Sequence, residues 1–468
     1  ARDVFAALKD AALKVSMKIS YVSLGASSSN LALTMTCSPM SFRSTSRAAF
    51  QSKSMAMKGK KKMPIMLLNF QPILGAGTSK SVLRSKRVQG ESMKLNMLGN
   101  PEMTRFLCLA ALKETYEEDD AALPDAMKII AEDLHRALTQ GIDLPGGHKL
   151  RLACTSVKGD WPFLIAAADL NRHFRRAPKA GHTEGGHGIC HWCLAGQKNY
   201  PLSDCGANPR WARTEGSAAA SAPWDSLQPF TALLPAPHGS PENLYRPDIW
   251  HNWHLGHGRY FLSSAFIIVR SLWNEESLHN TICWHDVFVE SLLPPQESQA
   301  SFEQTDKGDL WLHSEFLESA LMQPDRAELV LLDRRLALIL LVAKSINSCM
   351  RKLYGAGAWL RDDEAAGIAA DGLCACRGYR ALATESLERG EPRFPLHSKF
   401  HMLVHTFRNM ELDARKLTWQ ESPMCDNCQM DEGFVGQLAR YSRRVSPKST
   451  IHRMLDVYLT SLWRLWRT

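Results

Sequence analysis

Two cysteines three positions apart, in Cys190-His191-Trp192-Cys193, constrain this chain more than any other local feature. Such a cysteine content yields about 0.3 Cys-x-x-Cys pairs by chance. The 468 residues hold two, the second being Cys425 and Cys428. Two thiolates set around one tight turn reach a single Zn²⁺ and fill half of a tetrahedral site. The other half must arrive from a distant segment, which forces the intervening chain to return on itself. His401 and His405 stand one helical turn apart and can ligate one metal together. Cys425 and Cys428 compete with them and would make a four-cysteine site. His397 extends the histidine row by another turn, as a plain surface or core row would. Twelve cysteines in a chain of this length read as thiols of a reducing compartment with a metal site, not as a small disulfide framework.

Charge is unevenly distributed. The net charge of +8 arises at the N-terminus: residues 11–90 carry 13 Lys or Arg and no acid, while residues 91–468 hold 41 basic and 46 acidic side chains. Residues 1–62, rich in Ser, Met, Ala and Lys without sustained periodicity, therefore read as a disordered basic arm. Lys58-Gly59-Lys60-Lys61-Lys62 suits a nuclear address, and the acid-poor, Ser-rich composition alternatively suits an organellar transit peptide. The start at Ala1 reads as a fragment or a processed product. The longest apolar run, Leu336–Ala343, has eight residues. A membrane span needs roughly 18, so none is expected, and this run suggests a helix buried all round.

Periodicity supplies the candidate elements. Pro64–Leu74 is apolar enough for a buried strand. Met127, Ile130, Ala131, Leu134 and Leu138 fall on one helical face, with Pro124 near the start and Gly141 just past the end. In His148–Val157, Leu150, Leu152 and Cys154 alternate with Lys149, Arg151 and Ala153, as in a strand that ends at Gly159-Asp160. Residues 196–247 contain eight of the 23 prolines and read as an irregular crossing segment. From about Arg259 onward the pattern is helical. Ile451, Met454, Leu455, Tyr458, Leu459, Leu462 and Trp466 share one face of a last helix capped by Ser449.

Three acidic motifs punctuate this order. Gly159-Asp160-Trp161-Pro162 places an acid at the C-terminal end of a strand, where α/β folds commonly put catalytic acids; an aspartate there also serves as a plain turn former. Asp248-Ile249-Trp250-His251 suits either a site or a helix N-cap with a core histidine. Glu432, in Glu432-Gly433-Phe434, opens a helix, where the helix dipole favours an acid without any catalysis.

Taken in order, these motifs resemble the DDE DNA transposases of the CACTA and related superfamilies, over roughly residues 145–468. The resemblance implies an α/β fold, an RNase H-like core interrupted by a large, mainly α-helical insertion. It implies that Asp160 and Glu432, 272 positions apart, hold Mg²⁺ for DNA cleavage and strand transfer. It implies that Asp248 and His251 lie near the catalytic centre, and that Cys190, Cys193, His401 and His405 share a structural zinc. Such enzymes need a further Asp on the first core strand. Pro64–Leu74 is the natural place for it and carries Asn69 but no acid; the nearest upstream acids are Glu91 and Asp10.

The expected layout is thus a disordered arm at 1–62, a partial core with the Cys-x-x-Cys at 63–195, a crossing segment at 196–247, a helical insertion at 248–395, and the histidine pair, third acid and basic helix at 396–468. The expected function is a transposase-derived nuclear protein, catalytically impaired for want of its first acid. The alternative is a non-catalytic, zinc-stabilised DNA-binding or interaction protein. DNA is the expected partner, contacted by Arg440, Arg443, Arg444 and Lys448. A homo-oligomer is compatible with this reading, whereas a membrane or small-molecule partner is not expected.

Overall fold

The computed structural model describes residues 19–23, 31–35, 65–74, 88–94, 105–112, 122–144, 148–176, 188–216, 222–236, 239–272, 309–391, 393–429 and 450–467, with Asp431, Phe434 and Arg440. Helix is more abundant than strand among them, and the chain divides into two compact units. The first comprises residues 1–171, 222–246 and 428–468; the second comprises 172–221 and 247–427.

The first unit is built on a sheet. Its strands are β1 (Ile19–Ser23), β2 (Leu31–Met35), β3 (Ile65–Leu74), β4 (Val88–Lys94) and β5 (Arg105–Leu112), then, after helix α1 (Ala122–Thr139), β6 (Ile142–Leu144) and β7 (His148–Gly159). Their spatial order is β1-β2-β5-β4-β3-β7-β6. Strands β3, β4 and β5 form an antiparallel meander, and the chain then crosses over through α1 to lay β7 parallel to β3. Parallel neighbours require such a crossover, because no tight turn can bring a strand back in the same direction. Helix α1 forms where the apolar spacing predicts, burying Met127, Ile130, Ala131 and Leu134 and packing on β7. Gly141, at φ 75°, provides the left-handed residue that ends it. Cys154, Ser156, Val157, Lys158 and Gly159 are all buried, so the end of β7 is covered on both faces.

Helix α2 (Trp161–Ala168) follows at once, then the short α3 (Pro229–Leu233) and strand β8 (Tyr245–Pro247), which pairs with β7. The C-terminal helix, Thr450–Arg467, buries Tyr458, whose ring meets Phe434 at 5.7 Å. Ser449, its expected cap, lies outside the described residues.

The N-terminal segment departs from expectation. Read as disordered, it contributes β1 and β2, joined to the sheet by the pairs Leu33↔Ala110 and Thr34↔Leu109. A strand added to an existing edge gains a ladder of backbone hydrogen bonds. Low acid content says nothing about that gain.

The second unit is helical: α4 (Gly258–Leu272), α5 (Asp309–Leu321), α6 (Ala327–Leu332), α7 (Arg334–Gly355), α8 (Asp362–Glu388) and α9 (Ser398–Ala414), with a small antiparallel pair of β9 (Trp359–Arg361) and β10 (Trp419–Glu421). Asp333 caps α7 by accepting from the Arg335 N–H at 2.8 Å. Three acids, Asp362, Asp363 and Glu364, open α8, where the helix dipole favours them. Helix α7 is not buried all round. It buries Leu336, Ile339, Val342, Ala343 and Ile346 on one stripe, while Leu341 remains 42% exposed. Its apolar run outruns the face that its neighbours cover. Helices α8 and α9 approach closely at Gly372, where a methyl group would run into the Phe407 ring.

Candidate metal centre and carboxylates

The metal centre lies within the second unit and starts with a knuckle. The Ile189 N–H donates to the Ala195 carbonyl at 2.8 Å, closing a loop around Cys190 and Cys193. Gly188 and Gly196 adopt φ of 94° and 88°, open to glycine at little cost. Backbone N–H groups point at both sulfurs, from Trp192 to Cys190 Sγ at 3.3 Å and from Ala195 to Cys193 Sγ at 3.4 Å. Donors at that distance favour the thiolate that a metal requires. Buried Arg172 clamps the knuckle, donating to the carbonyls of Cys190 and His191, each at 3.1 Å.

Helix α9 brings the other two ligands. Every residue from Phe400 to His405 on it is buried, so His401 and His405 face inward without any apolar periodicity to announce it. Both Nε2 atoms lie 3.3 Å from Cys193 Sγ. One donor atom from each of Cys190, Cys193, His401 and His405 falls within 4.8 Å of the other three, and all four residues are buried. Two sulfurs and two imidazole nitrogens converging without solvent form a group that can hold a metal ion.

Support surrounds the ligands. The fully buried Trp211 ring lies 4.7 Å from His401 and 4.3 Å from His405. His405 Nδ1 is 3.3 Å from a Glu215 carboxylate oxygen, close enough for attraction but not aligned as a hydrogen bond. Arg408 grips that carboxylate at 2.8 and 2.6 Å. Burial lowers the His401 pKa against opposing hydrogen bonds, favouring the neutral, metal-binding imidazole. Burial would raise the Cys190 thiol, but its Cys193 hydrogen bond and both imidazoles hold it well below the ordinary range. Burial and Cys190 push Cys193 well above it.

The structure thus groups the histidine pair, not Cys425, with Cys190 and Cys193. Cys425 sits in the turn Pro423–Asp426, its Sγ 3.5 Å from the Ala358 carbonyl. His397 does not join the four. It caps α9 by accepting from the Lys399 N–H at 3.3 Å, and its ring packs on His257 at 4.2 Å.

Asp248 and His251 also belong to the second unit. Asp248, fully enclosed, accepts from the N–H groups of Trp250 at 2.7 Å and His251 at 3.3 Å, and its carboxylate lies 2.6 Å from His251 Nδ1. It initiates the π-helical stretch Trp250–His257. Three residues after His251, burial pushes the His254 pKa down to about 4. The His254 Nε2 faces the Tyr354 hydroxyl at 3.3 Å.

The carboxylates of the first unit stand at the end of β7. Asp160 caps α2, its Oδ1 accepting from the Phe163 N–H at 2.9 Å. The preceding glycine is required by packing, since a Cβ at Gly159 would come within 2.7 Å of the Phe163 ring. Glu432 lies outside the described residues, but its neighbour Asp431 is described, fully buried and 3.1 Å from the equally buried Lys158 ammonium. Strand β3, alongside β7, has no acid. Its Asn69 pairs with Ser156, four residues short of Asp160, or roughly 13 Å along the strand. Glu91 is one strand further out, on β4 opposite Pro72.

Of the basic candidates, Arg440 is exposed, while Arg443, Arg444 and Lys448 lie outside the described residues. Among the described residues no helix is long and apolar enough to cross a membrane. Comparison with known proteins found no matching family model and no matching curated protein.

Sequence reasoning missed Arg172, Trp211, Glu215, Lys158 and Asp431 as supporting residues. Asp431 stands next to the expected acid Glu432, yet nothing in the sequence pairs it with Lys158. The others act across sequence distances that carry no local pattern.

Proposed function

We propose that the chain is a transposase-derived protein of the DDE type, with an RNase H-like core, a helical insertion and a structural zinc, and that it is catalytically impaired. The observation that carries this reading is the order of elements in the first unit. An antiparallel meander, a crossover helix and a strand parallel to the first strand of that meander deliver Asp160 at the strand's end. That is the scaffold on which such enzymes mount their second acid.

Asp160 and Glu432 are the residues that would hold Mg²⁺. A divalent cation held there would supply activation of the attacking oxygen and stabilisation of the leaving oxygen in phosphodiester transfer. Mg²⁺ requires hard oxygen ligands. Strand β3, which lies parallel to β7, offers none, and this is the physical ground for impairment. Cys190, Cys193, His401 and His405 would hold the zinc, whose closed set of four protein ligands suits structure and leaves no position for a substrate. It would staple the 172–221 segment to α9. DNA is the proposed partner, drawn by the exposed Arg440 and the basic residues that follow it, and the nucleus is the proposed compartment.

A second reading, a zinc-stabilised DNA-binding or interaction protein without catalysis, is favoured by the capping role that Asp160 already fills at α2. Two measurements separate the readings. Purified protein should carry about one zinc per chain, lost on Cys190→Ser or His405→Ala; zinc that survives both changes sinks the site. Mg²⁺-dependent DNA nicking should be at trace level and vanish on Asp160→Asn or Glu432→Gln. Nicking that persists in either variant refutes the carboxylate assignment, and no nicking by the unaltered chain favours the second reading.

A further inference from the structure

Glu215 reaches the metal centre from the short helical turn Arg210–Thr214, within the second unit, and the cysteine knuckle itself holds that turn. The Leu194 N–H donates to the Thr214 hydroxyl at 2.9 Å, and that hydroxyl donates to the Trp211 carbonyl at 2.6 Å. The Trp211 Nε1–H donates to the Asp204 carbonyl at 2.7 Å, which fixes the ring against both histidines. One turn of chain thus sets an indole against the two imidazoles and a carboxylate beside one of them.

Two side chains of α9 meet that carboxylate. His405 Nδ1 is 3.3 Å from Glu215 Oε1. Arg408, three positions further along α9 and so on the same side of the helix, donates to both carboxylate oxygens. Its guanidinium also lies over the Trp211 ring, 5.5 Å from the centre. An imidazole that binds a metal through Nε2 carries its proton on Nδ1, and metal-ligating histidines almost always donate that proton to a carboxylate, a carbonyl or water. His405 turns Nε2 toward Cys193, and its Nδ1 is buried with no aligned hydrogen bond. A proton placed there needs an acceptor, because a buried donor left unsatisfied is costly. Glu215 Oε1 is in reach of it, held by a guanidinium that the same helix supplies.

We propose that Glu215 is a positioning residue of the metal centre: it accepts the Nδ1 proton of a zinc-bound His405, and Arg408 holds it in place to do so. The role is to fix which nitrogen of His405 faces the metal and how the ring is turned. It rests on the zinc reading above and is independent of the DDE ancestry.

The test measures zinc held by the full chain in competition with a chromophoric chelator. Glu215→Ala should keep the circular dichroism of the parent and weaken zinc about tenfold to a hundredfold, the usual cost of losing an outer support of a metal ligand. Glu215→Gln, which keeps an acceptor without the charge, should recover most of that loss. Arg408→Met should weaken zinc several-fold by itself and hardly at all beside Glu215→Ala, since its hold acts through that carboxylate. In the zinc-loaded parent, nuclear magnetic resonance should show a His405 Nδ1 proton shifted downfield and slow to exchange with water, and Glu215→Ala should abolish it. Should the alanine variant not fold, the parent spectrum carries the test. Parent-like zinc affinity in folded Glu215→Ala, or a parent spectrum without that proton, overturns the positioning role while the metal centre stands. Equal losses in Glu215→Gln and Glu215→Ala reduce Glu215 to a plain charge and overturn it too. Zinc unaffected by both Cys190→Ser and His405→Ala overturns the metal centre itself, and the role of Glu215 with it.

Discussion

Replacing Lys158 by methionine removes one partner of a fully buried ion pair and leaves the other in place. The cost follows from the environment of Asp431. Its side chain has no solvent access, and Lys158 supplies a charged donor at 3.1 Å. Removing one partner of such a pair costs about 3–5 kcal/mol, because the remaining charge stays buried and has lost its opposite charge. At 1.36 kcal/mol per decade, that loss lowers the protection of amides opening with this region by roughly two to nearly four orders of magnitude. The assay is hydrogen–deuterium exchange resolved to peptides of β7 and of residues 428–440. The α7 and α8 helices of the second unit provide the internal control, since the pair belongs to the first unit. Adding Asp431→Leu should restore most of the protection, because the buried carboxylate that lost its counter-charge is then gone. Protection of β7 in Lys158→Met within threefold of the parent would refute the reasoning. It would mean that the surroundings of Asp431 rearrange, or admit water, at little cost.

Three shorter predictions concern the second unit. Chelation of zinc should unfold the knuckle and expose Trp211 and Trp192, seen as a red shift in tryptophan emission; a shift of the same size in Cys190→Ser before chelator is added identifies its source. Burial holds His254 at about 4, below the ordinary 6.5, so the unfolded chain binds this proton more readily than the folded one. Stability from this residue is complete above pH 6.5 and declines as pH falls from 6.5 to about 4, by roughly 3 kcal/mol in total. His254→Phe should flatten that part of the urea-midpoint profile, and a slope unchanged by the substitution would count against it. Gly372→Ala should cost about 1–3 kcal/mol by overpacking against Phe407, and a melting temperature equal to the parent's would contradict the close approach of α8 and α9.

The elements with strong local signals were legible in the sequence. The spacing of Met127, Ile130, Ala131 and Leu134 predicts α1, and the alternation before Gly159 predicts β7; both follow from one buried face repeating at a helical or strand period. Strands β4 and β5 carry no such announcement. Val88–Lys94 is largely polar, and it becomes a strand because β3 and β5 supply hydrogen bonds on either side. The apolar run in α7 suggested full burial, but its exposed Leu341 shows that apolar sequence permits burial without compelling it. Within the metal centre, the Cys-x-x-Cys turn was local and readable. The choice of His401 and His405 over Cys425 rested on the order of motifs, since nothing in the sequence excluded the thiols.

What the sequence determined by itself is the set of short-range geometries: two thiols around one turn, two imidazoles one helical turn apart, an aspartate at the end of a strand and the lack of any acid in Pro64–Leu74. Covalent connection and backbone periodicity enforce these whatever else the chain does. The tertiary structure alone decided which distant groups meet. It brought His405 Nε2 to 3.3 Å from Cys193, Glu215 to the far side of the same imidazole, and Lys158 to Asp431. Burial makes those meetings consequential. Away from water, a thiolate, an imidazole or a carboxylate must find its partner within the fold, and only the packed chain determines which partner that is.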